Sequence, residues 1–179
     1  FRSLQALWPG MHSLAVCCGP GNNGGDGYVV AGLAATHGLQ VYLMGFGEPK
    51  TPDAKRAHRY ALASGVSVMS FHPDVLLGVE VVVDAILGTG FRHPLGGQIL
   101  EGIRAINASG KPVLSLDVPS GLDSDTGEVA KDAVGATATI SFICLNPGIV
   151  TGNGPDRCGR VLFDSLQVPE TVFSGMKPV

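Results

Sequence analysis

Charge is scarce in this chain. Only 15% of its 179 residues are Asp, Glu, Lys or Arg, and the formal net charge is −3. With no basic run, a nucleic-acid partner has no electrostatic footprint. No apolar run reaches the roughly 18 residues of a membrane helix. The opening "FRSLQALWPGMHSLAVCC" has no long apolar segment ahead of a small-residue cleavage site, so a signal peptide is not expected. Phe1 stands where a complete chain would carry Met, and the sequence reads as a fragment. The four cysteines, Cys17, Cys18, Cys144 and Cys158, form no C-x-x-C pair. That weakens zinc and redox readings and leaves four reduced, buried thiols of a cytoplasmic protein as the expectation. A Gly-Lys-Ser/Thr loop and a G-x-S-x-G elbow are also missing, which disfavours Walker-type phosphate transfer and serine-hydrolase chemistry.

Apolar residues (45%) and glycine (26 residues) are plentiful. That composition belongs to a folded chain with many tight turns or close backbone approaches. Continuous apolar runs recur at 13–18, 40–46, 66–71, 79–87, 112–118, 137–145 and 160–166. Runs that do not alternate suit parallel strands covered on both faces. Helical segments are expected between several of them. One is "DGYVVAGLAATHG", closed by Gly38. The second is "TPDAKRAHRYALASG", capped by Thr51 with Pro52 first in the helix. The third is "PLGGQILEGIRAINASG", with Ile99, Ile103 and Ile106 at helical spacing and Gly110 at its end. The expectation is an α/β fold, a Rossmann-like three-layer sandwich on a mostly parallel sheet, forming a single domain over 1–179. Adjacent Cys17 and Cys18 should point to opposite faces of one strand.

Ligands of open parallel sheets bind beyond the carboxyl ends of the strands. "GPGNNGGDG" follows the first run. It contains G-x-G-x-x-G as Gly19, Gly21 and Gly24, but also Asn22, Asn23 and Asp26. Asp84 and "AILGTGFRHPLGG" follow the fourth, Asp117 and "VPSGLDSDTG" the fifth, and Asn146 the sixth. Carboxylates converging there require either a cation among them or a raised pKa on one of them. Each also has a bland reading: Asp26 as a helix cap, Asp84 as a turn residue, "DVPSG" as a plain turn. The acid that holds the ribose in a nicotinamide dehydrogenase is not at the end of the second run, where Glu48 comes too late. Among the five histidines only His93 falls on this edge.

"GPGNNGGDG", "VVDAILGTGFRHPL" and "LSLDVPSGLDSDTGEV" together resemble the NAD(P)H-hydrate epimerases, the YjeF N-terminal domain family, over about residues 14 to 168. The resemblance implies an enzyme, an isomerase that interconverts the R and S forms of hydrated NADH and NADPH. It implies substrate contacts from Asn22, Asn23, Gly24, Gly25 and Asp26, from Gly88, Thr89, Gly90, Phe91, Arg92, His93 and Pro94, and from Asp117. It also implies a potassium site at Asn23, Asp84 and Ser120, a homodimer, and an ATP- or ADP-dependent dehydratase as functional partner, fused in many bacteria and absent here. Asp117 is the expected catalytic acid and base. The family's helix before the first strand is expected to be missing or shortened, and Asn146 stands where the family frequently has Lys. A non-catalytic nucleotide-binding or scaffold module on the same fold is the alternative, and a kinase or dehydratase acting on ATP a third reading that lacks a Lys in the glycine loops.

Overall fold

The computed structural model describes residues 1–90, 95–129 and 131–169. Its seven strands are β1 (Ser13–Cys18), β2 (Gln40–Gly45), β3 (Val68–Ser70), β4 (Val81–Ala85), β5 (Val113–Leu116), β6 (Ala138–Phe142) and β7 (Arg160–Asp164). They form one sheet in the order β3-β2-β1-β4-β5-β6-β7, and every neighbouring pair is parallel. All seven lie within the apolar runs. Strands β1, β4 and β5 have no exposed residue, as continuous apolar runs demand when both faces are covered.

The covering helices are α1 (Arg2–Leu7), α2 (Asn22–Thr36), α3 (Pro52–Ala63), α4 (Pro73–Leu77), α5 (Gly97–Ala108) and α6 (Gly154–Cys158). One core gathers Leu4 of α1, Tyr28, Ala31 and Ala34 of α2 and Ala61 of α3 against Leu14, Val16 and Cys18. The other gathers Leu76 of α4 and Ile103 and Ile106 of α5 against Ala15 and Cys17. Cys17 and Cys18 therefore face opposite cores, as their adjacency in a strand dictates. Cys17, Cys18 and Cys158 are buried free thiols. Cys144 departs from the expectation and is exposed, because the turn after β6 carries it out of the sheet.

Thr51 caps α3 by accepting from the Ala54 N–H at 3.1 Å, and Gly38 (φ 81°) and Gly110 (φ 65°) close α2 and α5. Helix α2 begins four residues earlier than its pattern suggests, at Asn22 with Gly21 as N-cap. Asp26 is thus the fifth residue of the helix, and the cap reading is wrong. The early start depends on glycine. A Cβ on Gly24 would lie 1.9 Å from the Gly19 carbonyl oxygen, and one on Gly19 would lie 1.8 Å from that of Ile86. Gly19 presses the turn against Ile86, just past β4, and Gly24 packs the helix start on Gly19, while the space beside Gly21 is open.

Candidate functional site

The sheet order changes direction at β1. Strand β2 lies on one side of it and β4 on the other, so the loops after β1 and β4 diverge and leave a crevice at their carboxyl ends. A cavity of about 750 Å³ opens there. Asn22, Asn23 and Asp26 line it from α2; Gly88, Thr89 and Gly90 from the loop after β4; Asp117 from the end of β5; and Asn146 from beyond β6. Gly24 and Gly25, also expected to touch substrate, are buried in the first turns of α2. Phe91, Arg92, His93 and Pro94, expected to contact substrate as well, lie outside the described residues.

Asp117 sits immediately after β5 with φ 69°, the left-handed region that L-residues other than Asn and Asp rarely occupy. Its backbone N–H still donates to the Ile140 carbonyl of β6 at 2.8 Å, so the strand ending is anchored while the side chain is turned toward the cavity. The Thr89 N–H donates to Asp117 Oδ2 at 3.1 Å, and Asn146 Nδ2 reaches Oδ1 at 3.5 Å. Asn146 thus places an amide beside the same carboxyl group.

Asp84 is not a turn residue. It is the fourth residue of β4 and fully buried, beneath the cavity. Its Oδ2 accepts from the Ser115 hydroxyl at 2.8 Å and the Ser120 N–H at 2.9 Å, and its Oδ1 from the Ser120 hydroxyl and from the Ile86 N–H at 3.3 Å. Burial raises its pKa, and the donors from Ser120, Ser115 and Ile86 oppose that. Ser120 Oγ in turn accepts from the Leu87 N–H at 2.8 Å. Asn23 Nδ2 donates to the Leu87 carbonyl at 2.7 Å, whereas buried Asn23 Oδ1 has no hydrogen-bond partner. Asn23, Asp84 and Ser120 are therefore joined through Leu87 into one polar cluster under the cavity floor.

Asp26 stands at the cavity mouth, open to solvent on one side. Desolvation by the surrounding walls, with a smaller contribution from the charge of Asp117, raises its pKa to about 6. Ser115 and Leu87 were missed in the sequence. A serine inside the apolar run "PVLSL" is a readable signal; Leu87 acts through its backbone and leaves none.

A parallel sheet with a crevice at its switch point defines an open, doubly wound α/β protein. The chain belongs to the family described as YjeF-related protein N-terminus, whose model matches residues 1–148. It is 41% identical over 175 residues to the bifunctional NAD(P)H-hydrate repair enzyme Nnr of Coxiella burnetii, covering 97% of this chain and 36% of that protein. It is 32% identical over 185 residues to the NAD(P)H-hydrate epimerase of Legionella pneumophila, covering 98% of this chain and 68% of that one. The chain thus spans about a third of the length of the Coxiella relative. The crystal structure of yeast ynu0 shares the fold, with a TM-score of 0.81 at 21% identity over 99% of this chain and 80% of that one.

Proposed function

We propose that this chain is an NAD(P)H-hydrate epimerase, interconverting the R and S forms of the cofactor hydrated at C6 of its nicotinamide ring. The observation that carries the reading is Asp117: a carboxyl group held on a left-handed backbone by the β5–β6 ladder and the Thr89 N–H, facing a cavity large enough for a nicotinamide nucleotide. The 32% identity to the Legionella protein named as an epimerase supports it independently.

Epimerisation at C6 requires the C–O bond to break and re-form on the other face. Electron density from the ring nitrogen expels the hydroxyl as Asp117 protonates it, so water leaves and the ring carries a delocalised positive charge. Water then adds at the opposite face and returns a proton to Asp117. Carboxylates around the site favour the cationic ring. The N–H groups at the start of α2 suit the diphosphate.

A potassium ion fits the residues present. Asn23 Oδ1 is buried without a partner, and Asp84 is buried with hydrogen-bond donors but no ion-pair partner among the described residues. Asn23, Asp84 and Ser120 offer oxygen ligands, the donor type hard cations take. Bound there, the ion would offset the Asp84 charge. The same reading has the S form passed to an ATP- or ADP-dependent dehydratase and makes the protein a cytoplasmic homodimer. No helix among the described residues is long and apolar enough to cross a membrane.

The test is to supply hydrated NADPH enriched in the R form and follow its conversion by chromatography. Conversion by the wild type that is absent in Asp117→Asn is the expected result. Absence of conversion by the wild type, with or without K⁺, would sink the reading.

A further inference from the structure

A second cavity, of about 650 Å³, lies between α2 and α3. It shares Asn22 and Asp26 with the first, so the two are neighbouring compartments with a common wall. Both are lined in part by apolar side chains. The first is walled by the loops after β1, β4, β5 and β6 and carries Asn23, Thr89, Asp117 and Asn146 beside Ile86, Leu87 and Phe142. The second is a helix groove with Val29, Ala57 and Tyr60 along it and Arg56 at its edge. Val29 and Tyr60 are each 38% exposed, so the groove presents an apolar and an aromatic side chain to solvent.

The common wall is where two helices begin. Asn22 is the first residue of α2, and Thr51 is the N-cap of α3. The Thr51 hydroxyl donates to Asn22 Oδ1 at 2.5 Å, which ties the two helix starts together. Helices of 15 and 12 residues thus direct their positive ends at one place, between the two compartments. A dinucleotide has the matching layout: two nucleoside halves joined by a diphosphate.

We infer that the α2–α3 groove seats the adenosine half of the dinucleotide, with Tyr60 and Arg56 as the residues that bind it. This rests on the proposed epimerase reading, which commits the nicotinamide half to the Asp117 cavity and the diphosphate to the paired helix starts. Tyr60 offers an aromatic ring on which an adenine base can stack. Arg56 is exposed, and its guanidinium has no hydrogen-bond or ion-pair partner among the described residues, so it is available to adenine or to phosphate. Neither residue touches the reacting ring, so both act on substrate affinity and leave the chemical step alone.

The experiment measures epimerisation of hydrated NADPH, hydrated NADH and hydrated reduced nicotinamide mononucleotide by the wild type, Tyr60→Ala and Arg56→Ala. On the two dinucleotides each variant is expected to raise KM about tenfold with kcat within about twofold, the amount that roughly 1.4 kcal/mol of lost binding predicts. On the mononucleotide, which lacks the adenosine half, variants and wild type should be indistinguishable. Unchanged dinucleotide KM in both variants overturns the groove assignment while leaving the epimerase reading intact. An equal loss on the mononucleotide overturns it too, because the residues would then act through the fold. A wild type inactive on all three substrates removes the epimerase reading and the groove assignment with it.

Discussion

Asn23 and Asp117 approach each other across Gly88. A Cβ built on that glycine would lie 2.9 Å from Asn23 Cβ and 3.1 Å from Asp117 Oδ2. The residue that separates the cluster under the floor from the carboxyl group in the cavity is therefore one with no side chain. Gly88→Ala is expected to displace one neighbour by a few tenths of an ångström and to lower kcat at least about tenfold, since reacting groups tolerate little misplacement. The loop lies near the surface, so the melting temperature should fall only a few degrees. Wild-type kcat in this variant would mean that the Asn23–Asp117 spacing does not matter for turnover.

The backbone and the side chain of Asp117 make separable contributions. Asn tolerates the left-handed region about as well as Asp, whereas Ala there costs on the order of 1 kcal/mol more. Asp117→Asn should thus fold with nearly wild-type stability and show no epimerisation. Asp117→Ala should be equally inactive and less stable by about 1 kcal/mol in urea denaturation. Equal stabilities would indicate that φ 69° at this position carries no strain.

Ser120 serves two partners at once, donating its hydroxyl to fully buried Asp84 and accepting from the N–H of half-buried Leu87. Ser120→Ala leaves the Leu87 N–H without that acceptor and takes one donor from a fully buried carboxyl group. Each unsatisfied group costs about 1–3 kcal/mol, so the variant should lose roughly 2–4 kcal/mol in urea denaturation. If potassium binds here, raising K⁺ at constant ionic strength should increase the melting temperature of the wild type more than that of the variant. An equal response to Na⁺ and K⁺ in both proteins would count against the site.

The strands were legible because a buried parallel strand leaves a continuous apolar run, a signal that needs no knowledge of partners. The start of α2 was not. Asn and Gly are poor helix formers, and "NNGG" reads as loop until tertiary contact is known. What places it in a helix is the absence of side chains where the helix meets its surroundings: Gly24 against the Gly19 carbonyl, and Gly27 where a Cβ would be 2.6 Å from Cys18 Sγ. The short helices α1, α4 and α6 are too brief to show a period. At the site, Asp84 and Asp117 could be seen as polar ends of apolar runs. The grouping of Asn23, Asp84 and Ser120 came only from the family resemblance, and Leu87 as their link left no signal, because Asn23, Leu87 and Ser120 meet over sequence separations of 33 and 64. The α2–α3 groove was equally hidden, since its two walls are the outer faces of helices read separately.

Asp26 gives the protein a measurable response to pH. Its pKa rises from 3.8 unfolded to about 6 folded, chiefly through desolvation and then through the charge of Asp117. The charged groups around it are that Asp117, with Asp53 and Arg56 across the groove on α3; Cys18 lies beneath in β1, its thiol pushed up by burial. A carboxyl group with a raised folded pKa holds its proton in the folded state after the unfolded chain has released it. Between about pH 4 and pH 6 the folded protein therefore binds more protons than the unfolded one, and stability falls as pH rises through that window. Asp26→Asn cannot release a proton, so it removes this component. Relative to the variant, the wild type should lose stability from pH 4 to pH 6, after which the difference should stay constant to pH 8. Urea midpoints for the two proteins at pH 4, 5, 6, 7 and 8 check it, and parallel profiles across the whole range would show that Asp26 titrates as an ordinary surface carboxylate.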